Sequence, residues 1–315
     1  MRVIVSELIW EPALEPLRAA GADVVYEPDL WRRPEELHRA LAGAHALIVR
    51  NQTRVTARLL DAAPQLRVVG RLGVGLDNID LAAARQHGAV VVFARSSNAI
   101  AVAEYVFAAM FEAARRLAAA TADVRAGGWD RQGFTGYELY GKTLGIVGLG
   151  DIGGRLARRA QAFGMRVLAS DPQVTPSSLL VAEFGVELVS LEHLLGAADF
   201  VSLHVPLVPA TAGLLNRERL ALMKPGAWLI NTARGGVIDE AALAEALRAG
   251  RPGGAALDVR ASEPPGADDP LAGLPNLILS PHIAGITAES NQRTATMVVN
   301  DVLRVLDGQA PLNPA

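Results

Sequence analysis

Short β-branched runs alternate with helical segments along almost all of this 315-residue chain. "RVIVSEL" is followed by "EPALEPLRAAG", and "DVVYEP" by "RPEELHRALAGA". Then come "HALIVRN", "LRVVGRLG" and, after a helix, "AVVVFA". Short apolar runs joined by helices are βαβ units, and βαβ units build parallel sheets. This first series ends near Arg95. A second follows: "TLGIVG", "MRVLASD", "VELV", "DFVSLHVP", "WLINTA", "GAALDV" and "LILSPH". The pattern predicts an α/β protein made of two doubly wound, parallel-sheet domains of Rossmann-like type. Between the series, "NAIAVAEYVFAAMFEAARRLAAATADVRAG" reads as one long helix, apolar around much of its circumference, in a core or at an interface. A last helix, "ESNQRTATMVVNDVLRVLDG", follows "GIT".

Composition narrows the function classes. A net charge of −3 gives no basic excess for nucleic acid or an anionic membrane surface. The absence of cysteine removes disulfides and thiolate metal sites, and suits a reducing cytoplasm. The opening "MRVIVSELIWEP" reads as a strand without a signal-peptide core, and no run reaches the ~20 apolar residues of a spanning helix. A soluble, cytoplasmic protein is expected.

Gly148, Gly150 and Gly153 form G-x-G-x-x-G in "LGIVGLGDIGGRLARRAQAFG". Alone the pattern marks only a turn. Here a strand runs directly into it and a helix directly out, with Asp151 and Ile152 at the helix start. The next strand ends in Asp171, 18 residues past Gly153, where a carboxylate meets the ribose hydroxyls of a dinucleotide. Gly148 permits the tight turn, Gly150 close approach to a pyrophosphate, and Gly153 close helix packing. The helix N-terminus offers N–H groups and a positive dipole end to the phosphates. Asp171 would repel a 2′-phosphate, so NAD is predicted over NADP. The chain contains its own control. "VVGRLGVGLDNID" also sets Gly73 and Gly75 between strand and helix, but Asn78 replaces the third glycine and no acid ends the following strand.

Hydride transfer on a hydroxy or keto acid needs a cation for the carboxylate and a proton carrier that works near neutral pH. Of six histidines, His38 and His87 sit on helices, His193 lies in a solvated "SLEHLLGA" and His45 begins a strand. His204 in "SLHVP" and His282 in "SPHIAG" stand at strand ends, and periodicity does not choose between them. Arg234 follows "WLINTA" and could hold a carboxylate bidentately, or pair with a helix end. Glu263 follows "AALDV", in what could be an ordinary solvated loop.

"GIVGLGDIG", "INTARGGVIDEAAL", "AALDVRASEPP" and "LSPHIAG", in this order, resemble the D-2-hydroxyacid dehydrogenase family over essentially the whole chain. The resemblance implies an NAD-dependent enzyme with a catalytic arginine, glutamate and histidine at Arg234, Glu263 and His282. Arg234 would bind the substrate carboxylate and polarise the 2-keto group. Protonated His282 would give its proton to the carbonyl oxygen. Glu263 would bond the other imidazole nitrogen, fixing the ring and favouring its charged form. His204 matches a position near the cofactor, and Asp258 one near the nicotinamide carboxamide. Val205, Pro206, Thr232, Ala233 and Gly285 complete the implied cofactor set. The N–H groups of Gly73 and Val74 would face the acid. The resemblance implies a discontinuous substrate-binding domain, 1–98 plus 288–315, an NAD-binding domain, 99–287, and an active-site cleft between them. It further implies a homodimer through the alanine-rich helix and the "GGWDR" arm. Some relatives are corepressors, so a non-catalytic NAD-sensing protein is the alternative.

Two local features remain. Arg260 stands where many relatives carry an aromatic residue, and a surface position is expected rather than a pocket edge. Arg50 and Asn51 end the strand in "LIVRNQTRV". The same segment of phosphoglycerate dehydrogenases carries an arginine that meets the substrate phosphate. A second anionic group on the substrate is therefore expected at Arg50, with Arg71 or Arg131 as a further cation. Asn51 replaces a small hydroxyl residue common there, which leaves a 3-phosphoglycerate-like or a sulfolactate-like acid open. The alternative is that Arg50 pairs with an acid at the domain edge.

Overall fold

The computed structural model describes residues 1–315 as two compact units, Met1–Asn98 with Ile286–Ala315, and Ala99–Gly285. The first holds strands β1 (Arg2–Val5), β2 (Asp23–Tyr26), β3 (Ala46–Val49), β4 (Val68–Arg71) and β5 (Val90–Phe93). They form a parallel sheet in the order β2-β1-β3-β4-β5. β3 is buried along its whole length, as a parallel strand with helices on both faces must be. The helix Ala288–Leu306 packs against β4 at Gly70, where a Cβ would lie 2.7 Å from Val298. Its start carries a reciprocal capping box between Thr287 and Ser290.

The second unit holds β6 (Thr143–Val147), β7 (Arg166–Ser170), β8 (Glu187–Leu188), β9 (Phe200–Leu203), β10 (Trp228–Asn231), β11 (Gly254–Leu257) and β12 (Leu277–Leu279). All run parallel, in the order β12-β11-β10-β9-β6-β7-β8. One core packs Met110, Leu156 and Phe200 together, and the other packs Leu195, Leu220 and Leu243. The chain therefore contains two doubly wound α/β units.

The single helix expected after residue 98 is two. One spans Ala99–Arg115 and the next Leu117–Arg125. Arg116 between them takes a left-handed conformation with φ 48°, which costs a residue with a Cβ about 1–2 kcal/mol. Its guanidinium lies over the Phe134 ring and bonds the Gly133 carbonyl. The second helix buries none of its residues. Alanine repeats carry no signal for such a break, because alanine suits a helix whether or not it packs.

Candidate functional site

The sequence-predicted residues of the second unit leave the carboxyl ends of six neighbouring strands. His282 follows β12, Asp258 and Glu263 follow β11, and Thr232, Ala233 and Arg234 follow β10. His204, Val205 and Pro206 follow β9, the glycine cluster follows β6, and Asp171 follows β7. The chain order switches direction between β9 and β6, and in open α/β sheets ligands bind at that switch.

The glycine cluster and its surroundings fit a dinucleotide on four counts. A Cβ on Gly148, whose φ is +94°, would meet the His204 carbonyl oxygen at 2.6 Å. A Cβ on Gly153 would meet the Gly148 oxygen at 2.3 Å, whereas Gly150 opens onto empty space. The helix Asp151–Ala162 has Gly150 as its N-cap and no side-chain cap, while Thr56, Asp80, Ser190, Asn216, Asp239 and Thr287 each cap theirs. Thr232 Oγ1 and His204 Nδ1 are buried without a protein partner. The Asp171 carboxylate accepts the Leu149 and Gln173 N–H groups, each at 2.8 Å, which aims it beside the glycine turn. Ile152 stands on the first turn of that helix, and Val205 lies 3.1 Å from the Gly148 Cβ position.

His204 Nε2 is 2.9 Å from Ser202 Oγ. Burial pushes its pKa down to about 3, so the ring stays neutral through the physiological range. Of the two strand-end histidines, His282 has the acid. Its Nδ1 lies 2.8 Å from Glu263 Oε2, and both side chains are substantially exposed, at 45% and 40%. A carboxylate accepts only, so Nδ1 carries the hydrogen and Nε2 is left to exchange a proton.

His282 has φ +57°, which a residue with a Cβ rarely adopts. Asp258 explains how it is held. Its main-chain oxygen accepts the His282 N–H at 2.8 Å, and its carboxylate accepts those of Ile283 and Ala284, also at 2.8 Å. Ser280 Oγ donates to it as well, at 2.5 Å. Asp258 is 2% exposed, so most of its bonding capacity is spent on the His282 segment. Gly285 follows directly.

Arg234 donates from Nη1 to the Ala233 oxygen at 2.7 Å, and Asn231 braces the turn through Nδ2 to the Arg234 oxygen and Oδ1 from the Ala233 N–H. Arg260 overturns the surface expectation. Its side chain is 8% exposed and paired with Glu240 and Asp269. Glu240, twenty residues before it, and Asp269, nine after, supply the counter-charge that lets it be buried.

In the first unit, Arg50 and Asn51 follow β3 and Gly73 and Val74 follow β4, again at carboxyl ends. Arg50 Nη2 donates to Asn291 Oδ1 at 3.3 Å, and burial lowers the Arg50 pKa from its usual value. Arg71 Nη2 donates to Asn51 Oδ1 at 2.8 Å, and Nη1 to the Leu72 oxygen at 2.7 Å. The Gly73 N–H donates to the Arg71 oxygen at 2.9 Å. Arg131 is exposed on the second unit.

Sequence reasoning missed Glu7, which follows β1. Its carboxylate, 4% exposed, accepts the N–H groups of Arg50, Asn51, Gln52 and Thr53, each at 2.9 Å. Burial alone would raise its pKa, but these backbone donors outweigh it and the net shift is downward. Asn78, which breaks the first glycine pattern, donates to the Arg50 and Thr53 oxygens at 3.1 and 2.8 Å. An acid two residues past the end of the first strand is the signal the sequence offers.

Fold and site together define a dinucleotide-binding α/β protein. Residues 107–284 match the family model for the D-isomer specific 2-hydroxyacid dehydrogenase NAD binding domain. The chain belongs to the D-isomer specific 2-hydroxyacid dehydrogenase family, and its nucleotide is NAD. It is 47% identical over 308 residues to an (S)-sulfolactate dehydrogenase of Chromohalobacter salexigens, covering 98% of this chain and 99% of that one. It is 42% identical to a D-3-phosphoglycerate dehydrogenase of Archaeoglobus fulgidus over 98% of this chain, but spans only 58% of that protein. The crystal structure of the TT0316 protein from Thermus thermophilus matches with a TM-score of 0.92 at 40% identity, covering both chains completely. No helix is long and apolar enough to cross a membrane.

Proposed function

We propose that this protein is an NAD-dependent D-2-hydroxyacid dehydrogenase whose substrate is a small 2-hydroxy or 2-keto acid with a second anionic group. The observation that carries the reading is the 2.8 Å contact between His282 and Glu263, beside an uncapped glycine cradle on the same sheet edge. NADH, when bound, supplies the hydride. Arg234 binds the acid's carboxylate and draws electron density from the 2-keto oxygen. His282 delivers the proton from Nε2 to that oxygen in reduction and recovers it in oxidation. Glu263 keeps Nδ1 protonated and stabilises the ring while it is charged. Asp151, Ile152, Pro206 and Gly285 belong to the same cofactor edge in this reading.

Arg50 is the residue assigned to the distal anion, with Arg71 beside it through Asn51. Two relatives support this class, since one is named for sulfolactate and the other for 3-phosphoglycerate. No observation favours the NAD-sensing alternative. A cytoplasmic homodimer fits a cysteine-free chain that exposes Trp129 (78%), Tyr140 (75%) and Leu117 (60%). The test is a panel of 2-keto acids assayed with NADH. Turnover of sulfopyruvate or 3-phosphohydroxypyruvate well above pyruvate is expected, and binding of NADH with no turnover of any acid would leave the sensing alternative instead. Sedimentation reads the dimer.

A further inference from the structure

Two carboxylates grip the guanidinium of Arg260 at once. Nε and Nη2 donate to Oε1 and Oε2 of Glu240, each at 3.1 Å. Nη1 and Nη2 donate to Oδ2 and Oδ1 of Asp269, at 3.0 and 2.6 Å. The Glu240 and Asp269 side chains are 14% and 12% exposed. Burying three charges costs desolvation that their attraction only partly offsets, so such a cluster is poor evidence for added stability. A planar fork does fix geometry.

Its place in the chain shows what geometry it fixes. Arg260 and Asp269 are the two ends of one loop, and residues 261–268 between them are exposed. Glu263 stands in that loop. The Arg260 N–H donates to Glu263 Oε1 at 3.1 Å, and Glu263 Oε2 faces His282. Glu240 also accepts the Ala261 N–H at 2.8 Å, and Asp269 that of Leu271 at 3.0 Å. Arg248 donates to the Pro270 oxygen at 3.0 Å. The loop base lies directly on Gly235, where a Cβ would be 1.9 Å from the Arg260 carbonyl carbon and 2.2 Å from the Ala261 nitrogen. Gly235 is the neighbour of Arg234, and Glu240 opens the helix that follows. One guanidinium thus ties the segment after Arg234 to the loop that presents Glu263.

We propose that Arg260, with Glu240 and Asp269, is a positioning clamp that sets where Glu263 meets His282. The clamp rests on the reading of Glu263 and His282 as the proton-handling pair. Arg260 itself touches neither imidazole nor acid substrate in this role. The bonds to Asp269 and Glu240 outweigh burial and raise the Arg260 pKa, while the same bond to Arg260 lowers that of Asp269. The fork to Asp269 therefore stays charged near neutral pH.

The experiment compares wild type, Arg260→Lys, Glu263→Gln and the double variant in the full chain. Lysine keeps the charge but cannot fork to two carboxylates. Readouts are kcat and KM for the best keto acid across the range in which histidine titrates, NADH binding by fluorescence, and melting temperature. Arg260→Lys is expected to lower kcat roughly ten- to a hundred-fold, as small misplacements of acid–base groups do. Its NADH affinity and keto-acid KM should hold. Its pH profile should move in the direction of Glu263→Gln, and the substitution should add little in the Glu263→Gln background. If Arg260→Lys does not fold, Asp269→Asn opens one fork and is read the same way. A folded variant with the wild-type profile and kcat overturns the clamp, as do losses that multiply in the double variant. If Glu263→Gln alone changes neither kcat nor profile, the proton-pair reading fails, and the clamp with it.

Discussion

His282 Nδ1 and Glu263 Oε2 are 2.8 Å apart although 19 residues separate them along the chain. β11 and β12 are adjacent and parallel, so both residues leave the same sheet edge. Loss of the imidazole should abolish proton delivery while sparing the nucleotide. His282→Ala is expected to lower kcat by ~10²–10⁴, with NADH binding retained. Glu263→Gln should keep partial activity and move the profile to lower pH, because the charged ring loses its partner. Stopped-flow and steady-state rates across pH check both, and equal activity of His282→Ala and wild type would exclude His282 as the proton carrier.

NAD binding should depend on Asp171, and the packing of the glycine turn on Gly153. Asp171→Ala is expected to weaken NAD roughly ten-fold or more, the equivalent of one bond to a charged group. Gly153→Ala drives a methyl to 2.3 Å from the Gly148 oxygen, an overpacking cost of ~1–3 kcal/mol. Titration calorimetry with NAD and NADP reads the first, and denaturant melts read the second. Unchanged NAD affinity and preference in Asp171→Ala would remove the carboxylate from the site.

Arg50→Ala should discriminate substrates by charge. KM for a doubly anionic acid is expected to rise roughly ten- to a hundred-fold, the loss of a charge-assisted contact of ~1.5–3 kcal/mol. Pyruvate kinetics should change far less. Equal losses on the two substrates would assign Arg50 to structure, through Asn291.

Glu7 should matter for stability through the loop it holds. Glu7→Ala leaves four backbone donors, Arg50 to Thr53, without their acceptor. The expected cost is roughly 2–4 kcal/mol, since unpaired buried donors lose about 1–3 kcal/mol each and some regain water. The folded pKa lies below the ordinary value of 4.5. This contribution is therefore complete above about 4.5 and disappears as pH falls through the lower folded value. Urea melts of wild type and variant should converge on acidification, and a constant gap would argue against the ionised carboxylate.

His204 acts in the same direction from the opposite chemistry. Its pKa is pushed from 6.5 to about 3, so between these values the unfolded chain binds the extra proton. Stability should then fall as pH drops below about 6.5, by up to ~1.4 kcal/mol per pH unit from this group. His204→Asn should flatten that slope in unfolding free energy measured at several pH values. An identical slope in the variant would place the acid sensitivity elsewhere.

Local pattern was enough for the class of fold and for the nucleotide. Strand periodicity, helix-forming runs and the spacing from Gly148 to Asp171 are short-range properties, and a missing Cβ has the same meaning before and after folding. These made two doubly wound α/β units, and NAD as the nucleotide, legible from residue order alone. The choice between His204 and His282 was not legible in periodicity, because both stand at strand ends. Only the fold gives the two rings different surroundings: burial for His204, Glu263 for His282. Arg260 reads as a surface charge in the sequence because its counter-charges, Glu240 and Asp269, come from a helix start and the other end of its loop. Glu7 was invisible as a scaffold because its four donors lie over forty residues away, brought to it by the pairing of β1 with β3. The break at Arg116 has no mark in the sequence for the converse reason, since alanine repeats satisfy a helix with or without a core. Composition and periodicity decide which faces are apolar. Only the folded chain decides which charges meet, because Coulomb and hydrogen-bond partners are chosen by distance in space and not by distance in sequence.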